Sequence, residues 1–190
     1  MTSLEILQKP FTFIRHGQTT WNERNLCQGQ CDTPLSPSGA TSLSQLGKTL
    51  TPSLYQLLAV SPLKRALDTA HLLLPFLPAA RLLVIPQLRE RYFGALQGRP
   101  SKEMYAFEKD EKPSTAKTLH IEPKKDFFLR IIEGMNQALA TQALGVLIVS
   151  HGRVCKALTE ILRCDPCHQI DNASLMTFTF KNSRWSYTKR

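Results

Sequence analysis

Two short apolar runs in this chain each end in a histidine followed by glycine, and that pair of junctions narrows the possible folds more than any other feature. Phe11 to Ile14 leads directly into Arg15-His16-Gly17-Gln18-Thr19, and Val146 to Val149 leads into Ser150-His151-Gly152. Apolar, β-branched and aromatic runs of this length are expected to be buried strands. In an open α/β sheet, ligands bind in the crevice outside the carboxyl ends of the strands, so residues from opposite ends of the chain meet there. A two-histidine site follows as the expectation. The glycine after each histidine lets the backbone turn and approach a ligand with no Cβ in the way. The arginine before the first histidine favours phosphate or a similar anion.

The rest of the chain alternates strand and helix. Thr20 to Pro37 is rich in Asn, Gln, Gly, Asp and Pro and reads as loop; Ser36-Pro37 then offers a start for a helix over Gly39 to Leu50, with Leu43, Leu46 and Leu50 on one face. Tyr55 to Val60 is the next strand. Ser61-Pro62 resembles an N-cap with proline in the first turn of a helix from Leu63 to Leu74, which sets Arg65 close to a strand end. Arg81 to Ile85 is read as a third central strand and Pro86 to Pro100 as loop, while Ser101 to Pro123 carries little pattern. A helix from about Lys124 to Thr141 presents Phe127, Phe128, Ile131, Ile132, Met135 and Leu139 on its apolar side. A helix from Arg153 to about Leu162 follows the last buried strand, and an edge strand lies within Ala173 to Phe180. The pattern predicts an α/β fold, a three-layer sandwich with a mostly parallel central sheet and helices on both faces.

A chain of 190 residues with 42% hydrophobic residues suits a single domain spanning 1–190. No apolar stretch is long enough to span a bilayer, and Met1 to Pro10 has neither a basic start nor a long apolar core, so a cytoplasmic protein with no membrane partner is expected. The net charge of +9 concentrates anionic ligands near the surface. Lys102, Lys109, Lys112, Lys117, Lys124 and Lys125 are interleaved with Glu103, Glu108, Asp110, Glu111 and Glu122. With no zinc-finger, KH or aromatic RNP pattern beside them, they read as a solvated face rather than a nucleic-acid groove. The five cysteines are an odd number and predict reduced thiols. Cys164-Asp165-Pro166-Cys167-His168 matches a haem-attachment spacing, which is assigned to chance in a chain expected to stay in the cytoplasm. A zinc site joining that pair to Cys27 and Cys31 is weak, because those two stand in a turn-rich stretch with no ribbon pattern.

Several separated pieces converge on the two junctions: Asn22, Gln28-Gly29, Ser61-Pro62-Leu63-Lys64-Arg65-Ala66, Leu88-Arg89-Glu90-Arg91-Tyr92-Phe93-Gly94-Ala95-Leu96-Gln97-Gly98, and the closing Asn172-Ala173-Ser174. In this order and spacing, from Phe11 to about Phe180, the chain resembles the histidine phosphatase superfamily, the phosphoglycerate mutase-like proteins. The resemblance implies that His16 is the nucleophile that forms a phosphohistidine, that Arg15, Arg65 and a protonated His151 bind the phosphoryl oxygens, and that Glu90 is the general acid and base. It further implies substrate contacts from Asn22, Gln28, Gly29, Arg91, Tyr92 and Gly152, with no metal and no other cofactor.

The chemistry is sound for these residue types. A neutral imidazole is a competent nucleophile when a backbone carbonyl holds its other nitrogen. Phosphoryl transfer spreads negative charge over three equatorial oxygens, and the planar fork of arginine matches it. The short stretch between Glu90 and His151, the absence of an adjacent arginine pair, Tyr92 in place of a histidine and Arg153 in place of an asparagine separate this chain from the phosphoglycerate mutases it resembles. The expected activity is hydrolysis of a small phosphate ester. The alternatives are a cofactor-dependent phosphoglycerate mutase and a non-catalytic module that binds phosphorylated ligands. Arg91, Arg99, Lys102 and Arg153 are candidates to read a second anionic group.

Overall fold

A computed structural model describes residues 5–167 and 170–190. In chain order it contains β1 (Phe11–Arg15), α1 (Thr20–Glu23), α2 (Pro37–Gly47), β2 (Leu57–Val60), α3 (Lys64–Leu73), β3 (Arg81–Val84), α4 (Ser101–Lys109), α5 (Pro113–Thr118), α6 (Lys124–Leu139), β4 (Val146–Ser150), α7 (Gly152–Ile161), β5 (Leu175–Lys181) and β6 (Arg184–Lys189). The six strands form one sheet in the order β3-β2-β4-β1-β5-β6. The first four of these run parallel, while β5 and β6 are antiparallel to their neighbours.

Alternate residues of the inner strands serve opposite faces, as the two-residue period of a strand requires. Phe13, Leu57, Ala59, Val146 and Ile148 join one core with Ile131 and Met135 of α6 and Val154 and Leu158 of α7. Ile14, Leu58, Val60, Leu147 and Val149 join a second core with Leu43 of α2 and Ala66, Ala70 and Leu73 of α3. Every residue of β2 and β4 is buried, so their unbroken apolar runs are those of strands covered on both sides. A third, smaller core gathers Cys27, Phe93, Leu96, Met104, Phe107, Ala116 and Ile121, and ties α4 and α5 to the loops around them. These helices lie within the charge-rich stretch that shows little pattern in sequence.

Three expectations need correction. Arg81 to Ile85 does not form a central strand: β3 is an edge, with Arg81 and Val84 exposed. The strand within Ala173 to Phe180 is not an edge, because β6 pairs outside it across a two-residue turn. Asn182 and Ser183 have φ of 51° and 60°, the positive pair that a type I′ hairpin needs. Lastly, Ser61 does not cap α3. The helix starts from Leu63, without a side-chain cap, and the Ser61 hydroxyl is used elsewhere. Ser36 does cap α2 as expected, accepting from the Gly39 amide with Pro37 in the first turn.

Candidate active site

The register of the central strands builds the site. Arg15 pairs with Ser150 across β1 and β4, and the His16 amide donates to the Ser150 carbonyl at 2.9 Å, one step past the last strand pair. His16 and His151 therefore leave the sheet side by side, with ring centroids 5.2 Å apart. On the other flank of β4, Val60 pairs with Val149, and Ser61 follows with its amide on the Val149 carbonyl. That places Ser61 Oγ 2.7 Å from His151 Nε2.

The hydrogen bonds of His16 determine its tautomer. Nδ1 lies 2.8 Å from the Gly17 carbonyl, which can only accept, so Nδ1 carries the hydrogen. Nε2 receives the Nε–H of Arg65 at 3.1 Å, which leaves Nε2 the unprotonated nitrogen. Burial, followed by the charges of Arg65 and Arg15, holds the imidazolium form well below the ordinary histidine range. His151 is likewise pushed well below that range, by burial and then Arg65, His16 and Arg15. A protonated His151 is therefore not the state of the empty site, because the surrounding cations disfavour a further one. Its Nδ1 is buried without a hydrogen-bond partner among the described residues.

The two arginines are held differently. Arg65 is fully buried on the first turn of α3. Its Nη1 donates to the Cys31 carbonyl at 2.8 Å and its Nη2 to the Gly29 carbonyl at 2.7 Å, which fix the guanidinium plane. Burial lowers its pKa to about 10, so it stays charged at neutral pH. Arg15 is tethered by Nη1 to the Ile170 carbonyl at 2.7 Å, while its Nε is buried and unpartnered. Glu90 is 8% exposed, and its carboxylate accepts from two backbone amides, that of Arg91 at 2.8 Å and that of Arg153, in the first turn of α7, at 3.1 Å.

Arg15, His16, Asn22, Gln28, Gly29, Arg65, Glu90 and Gly152 all line one cleft of about 410 Å³. His151 stands behind that wall, against His16. The Asn22 side-chain oxygen accepts from Thr19 and Asn172, leaving its amide nitrogen for the cleft. The Gln28 oxygen is taken by Thr19 and Thr33. Gly29 lines the cleft and also gives its carbonyl to Arg65. It has φ of +50°, and a Cβ there would overlap Gln97, so glycine is required by the turn. Gly17 is required for a different reason than close approach to a ligand: a Cβ would stand 2.6 Å from Leu43 of α2.

Arg91 and Tyr92 are not brought into the cleft. The Arg91 guanidinium turns away to Glu111, with Nη1 at 2.9 Å from Oε2, and to the Glu122 carbonyl, and Tyr92 is 40% exposed. Of the candidates for a second anion, Arg99 is paired with Glu103, and Arg153 lines the cleft but is paired with Glu108 at 2.7 Å. Sequence reasoning missed Tyr105 and Lys156 on the cleft wall. It also missed Arg130 of α6, which donates to the carbonyls of Gln87, Arg89 and Glu90 and so braces the loop that carries Glu90. A cation interrupting an otherwise apolar helix segment was the signal available for it. Among the described residues no cluster of three or more His, Cys, Asp or Glu is arranged to hold a metal ion, and no helix is long and apolar enough to cross a membrane. His168 of the haem-like spacing lies outside the described residues.

A six-stranded sheet flanked by helices is the architecture of the phosphoglycerate mutase-like proteins. Branch 1 of the histidine phosphatase superfamily matches residues 11–190, and the chain belongs to that family. It is 32% identical to the uncharacterised phosphatase PhoE of Bacillus subtilis (strain 168), over 90% of this chain and 89% of the relative. It is 30% identical to a metal-independent phosphoserine phosphatase of Arabidopsis thaliana, over 90% of this chain and 76% of the relative. Its fold superposes on a phosphoglycerate mutase from Bacillus anthracis str. Sterne with a TM-score of 0.79, covering 96% of this chain and 93% of the other at 23% identity.

Proposed function

We propose that this protein is a metal-independent phosphomonoesterase that hydrolyses a small phosphate ester through a phosphohistidine on His16, with Glu90 as general acid and base. The observation that carries the reading is the state of His16 Nε2: an unprotonated nitrogen facing a cationic cleft, with its ring fixed by the Gly17 carbonyl. Two buried polar atoms beside it, Arg15 Nε and His151 Nδ1, have no partner among the described residues and would be satisfied by phosphoryl oxygens. Ser61 Oγ accepts from the Leu63 amide, so its own hydrogen is available to His151 Nε2. His151 Nδ1–H then becomes a neutral donor to the phosphoryl group.

In the first step the lone pair of His16 Nε2 forms the N–P bond as the ester P–O bond breaks. The electron pair passes to the leaving oxygen, which takes a proton from Glu90. In the second, the Glu90 carboxylate takes a proton from the water that attacks phosphorus, and the P–N bond breaks back to neutral His16. Unit charges about 4 Å apart interact by roughly 4 kcal/mol at an effective dielectric near 20, so two guanidinium groups supply much of the equatorial stabilisation. Each must be in place before the substrate arrives, which the carbonyl tethers of Gly29, Cys31 and Ile170 achieve. An adjoining recess lined by Gln18, Asn25, Ser42 and Asn172 suits a polar, hydroxyl-bearing alcohol portion rather than an apolar one.

The test is turnover of an aryl phosphate in excess chelator by the full chain and by His16→Ala, with quenching in alkaline detergent to trap the phosphoenzyme. Turnover by the full chain alone, with an acid-labile, base-stable phosphate on His16, is expected. Equal release by both proteins, or loss of activity to the chelator, refutes the reading. A parallel assay of phosphoglycerate interconversion separates hydrolysis from mutase activity.

A further inference from the structure

Three of the five cysteines collect where α7 meets the chain that follows it, and the reaction proposed above uses none of them. The Cys155 thiol, on α7, lies 3.3 Å from Met176 Sδ, and the Cys167 thiol lies 3.9 Å from the same sulfur. The two thiols thus converge on one sulfur, and neither is in a disulfide. Cys155 is completely buried, whereas Cys167 forms part of the wall of the catalytic cleft and so meets whatever small molecule enters it. Both flank anchors of the site. Cys155 follows closely on Arg153, whose amide holds Glu90, and Cys167 shortly precedes Ile170, whose carbonyl holds Arg15.

We propose that Cys167 and Cys155 form a peroxide-reactive pair, a modification site in the cleft wall at which oxidation to a disulfide switches off the adjacent phosphate site. The Cys167 thiolate attacks one oxygen of hydrogen peroxide, the O–O bond breaks, and the departing hydroxide leaves as water after taking a proton. The product is a sulfenic acid. The Cys155 sulfur then attacks the Cys167 sulfur, the S–O bond breaks, and a second water leaves with the thiol proton of Cys155. Two thiols and one peroxide become one disulfide and two waters.

The surroundings divide the roles. The neighbouring Cys155 thiol and the Lys189 ammonium lower Cys167 from the ordinary thiol range against the opposing effect of burial, which favours it as the thiolate of the pair. Cys155 moves the other way, raised by the neighbouring Cys167 and by burial, and is the protonated partner that resolves the sulfenic acid. Cys164 is directed instead at the Thr159 carbonyl. Closing the pair from its shared contact with Met176 to a sulfur–sulfur bond of about 2.05 Å pulls Cys167 onto α7. The strain falls on α7, whose first turn carries the Arg153 amide that holds Glu90.

The experiment treats the full chain with hydrogen peroxide, blocks the remaining thiols and maps the peptides without reduction, alongside aryl phosphate turnover. A Cys155–Cys167 linkage and at least a tenfold loss of turnover, both reversed by dithiothreitol, are expected. Cys167→Ser abolishes the linkage and the reversible loss, measured against its own untreated rate. Cys155→Ala, apolar as its surroundings are, stops Cys167 at a sulfenic acid that dimedone captures. Thiols that stay open to alkylation after peroxide, or a linkage that leaves turnover unchanged, overturn the proposal. The loss of turnover rests on the phosphatase reading but the linkage does not: a linkage formed in a chain that hydrolyses no ester refutes that reading and retains the modification site.

Discussion

Arg65 donates its Nε–H to His16 Nε2 across 3.1 Å while its two terminal nitrogens are held by the carbonyls of Cys31 and Gly29. One side chain thus keeps the nitrogen proposed as nucleophile unprotonated, aims it, and holds a fixed positive charge beside it. The arrangement depends on the planar guanidinium, because a point charge cannot serve three acceptors held in one plane.

Arg65→Lys is therefore expected to behave as a loss and not as a conservative exchange. A lysine ammonium reaches at most part of the carbonyl clamp and leaves a buried acceptor unpaired. Losing one preorganised donor in such a site costs about 2.7–4 kcal/mol of transition-state stabilisation, a fall of roughly 10²–10³ in kcat/KM. Steady-state kinetics on an aryl phosphate checks it; retention of more than a tenth of the wild-type kcat/KM would contradict the role assigned to Arg65.

Glu90→Gln separates proton donation from binding. The amide keeps the size of the side chain, but its nitrogen meets one of the two backbone N–H groups that hold the carboxylate, those of Arg91 and Arg153. General acid catalysis contributes roughly 10²–10⁴-fold. The loss is expected to be near the upper end for alkyl phosphates, whose alkoxides need a proton to leave, and near the lower end for nitrophenyl phosphate. A uniform loss across leaving groups would remove Glu90 from the acid role.

Much of this site was legible in sequence because each piece sits where a chemical pattern changes. The apolar run to Ile14 stops at Arg15-His16, and the run to Val149 stops at Ser150-His151, so the strand ends and the catalytic groups announce each other. What stayed hidden was of another kind. The Gly29 and Cys31 carbonyls that clamp Arg65 are backbone atoms with no residue signature. Arg91 reads as a ligand contact beside Glu90, but a glutamate at position 111, far along the chain, turns it away. The helix α4 buries only Met104 and Phe107, too few apolar positions to show a period. The outer strand β6 alternates half-exposed aromatics with polar residues and needs the left-handed turn at Asn182-Ser183 to bring it back.

Both site histidines make stability depend on pH in a definite direction. Each folded-state value lies well below the ordinary 6.5, so at pH 5 to 6 the unfolded chain binds protons that the folded chain does not. Stability is then fully present above about pH 7 and declines as pH falls through 6.5, with a limiting slope of about 1.4 kcal/mol per pH unit for each histidine. Urea melts between pH 7.5 and 5 are expected to show the decline, and His151→Asn to flatten it. Added phosphate should oppose the trend, since an anion between Arg15 and Arg65 relieves the repulsion that keeps the imidazoles neutral. Melts that are flat across this window would mean that the rings are not neutral and buried as described.

Arg130 tests whether the site depends on a residue that touches no substrate. From α6 its guanidinium donates to the carbonyls of Gln87, Arg89 and Glu90 and pairs with Glu122, whose other contact is the Tyr92 amide. One cation therefore closes the loop from both sides of Glu90. Arg130→Met keeps an unbranched side chain of similar length but removes the guanidinium stacked over Phe127, with its donors to the Gln87, Arg89 and Glu90 carbonyls and to the largely buried Glu122 carboxylate. That leaves Gln30 on the Glu90 carbonyl and the Tyr92 amide on Glu122. Breaking a buried pair costs roughly 3–5 kcal/mol, and the residual exposure of both partners places the expected loss near the lower bound. Because Arg15, Arg65 and His16 are anchored elsewhere, phosphate binding should survive while proton transfer falters. The expected signature is a fall in kcat with KM within about threefold, larger for alkyl than for aryl phosphates, as a misplaced acid requires. Loss of stability with an unchanged kcat in the remaining folded protein would make Arg130 a brace of the fold alone.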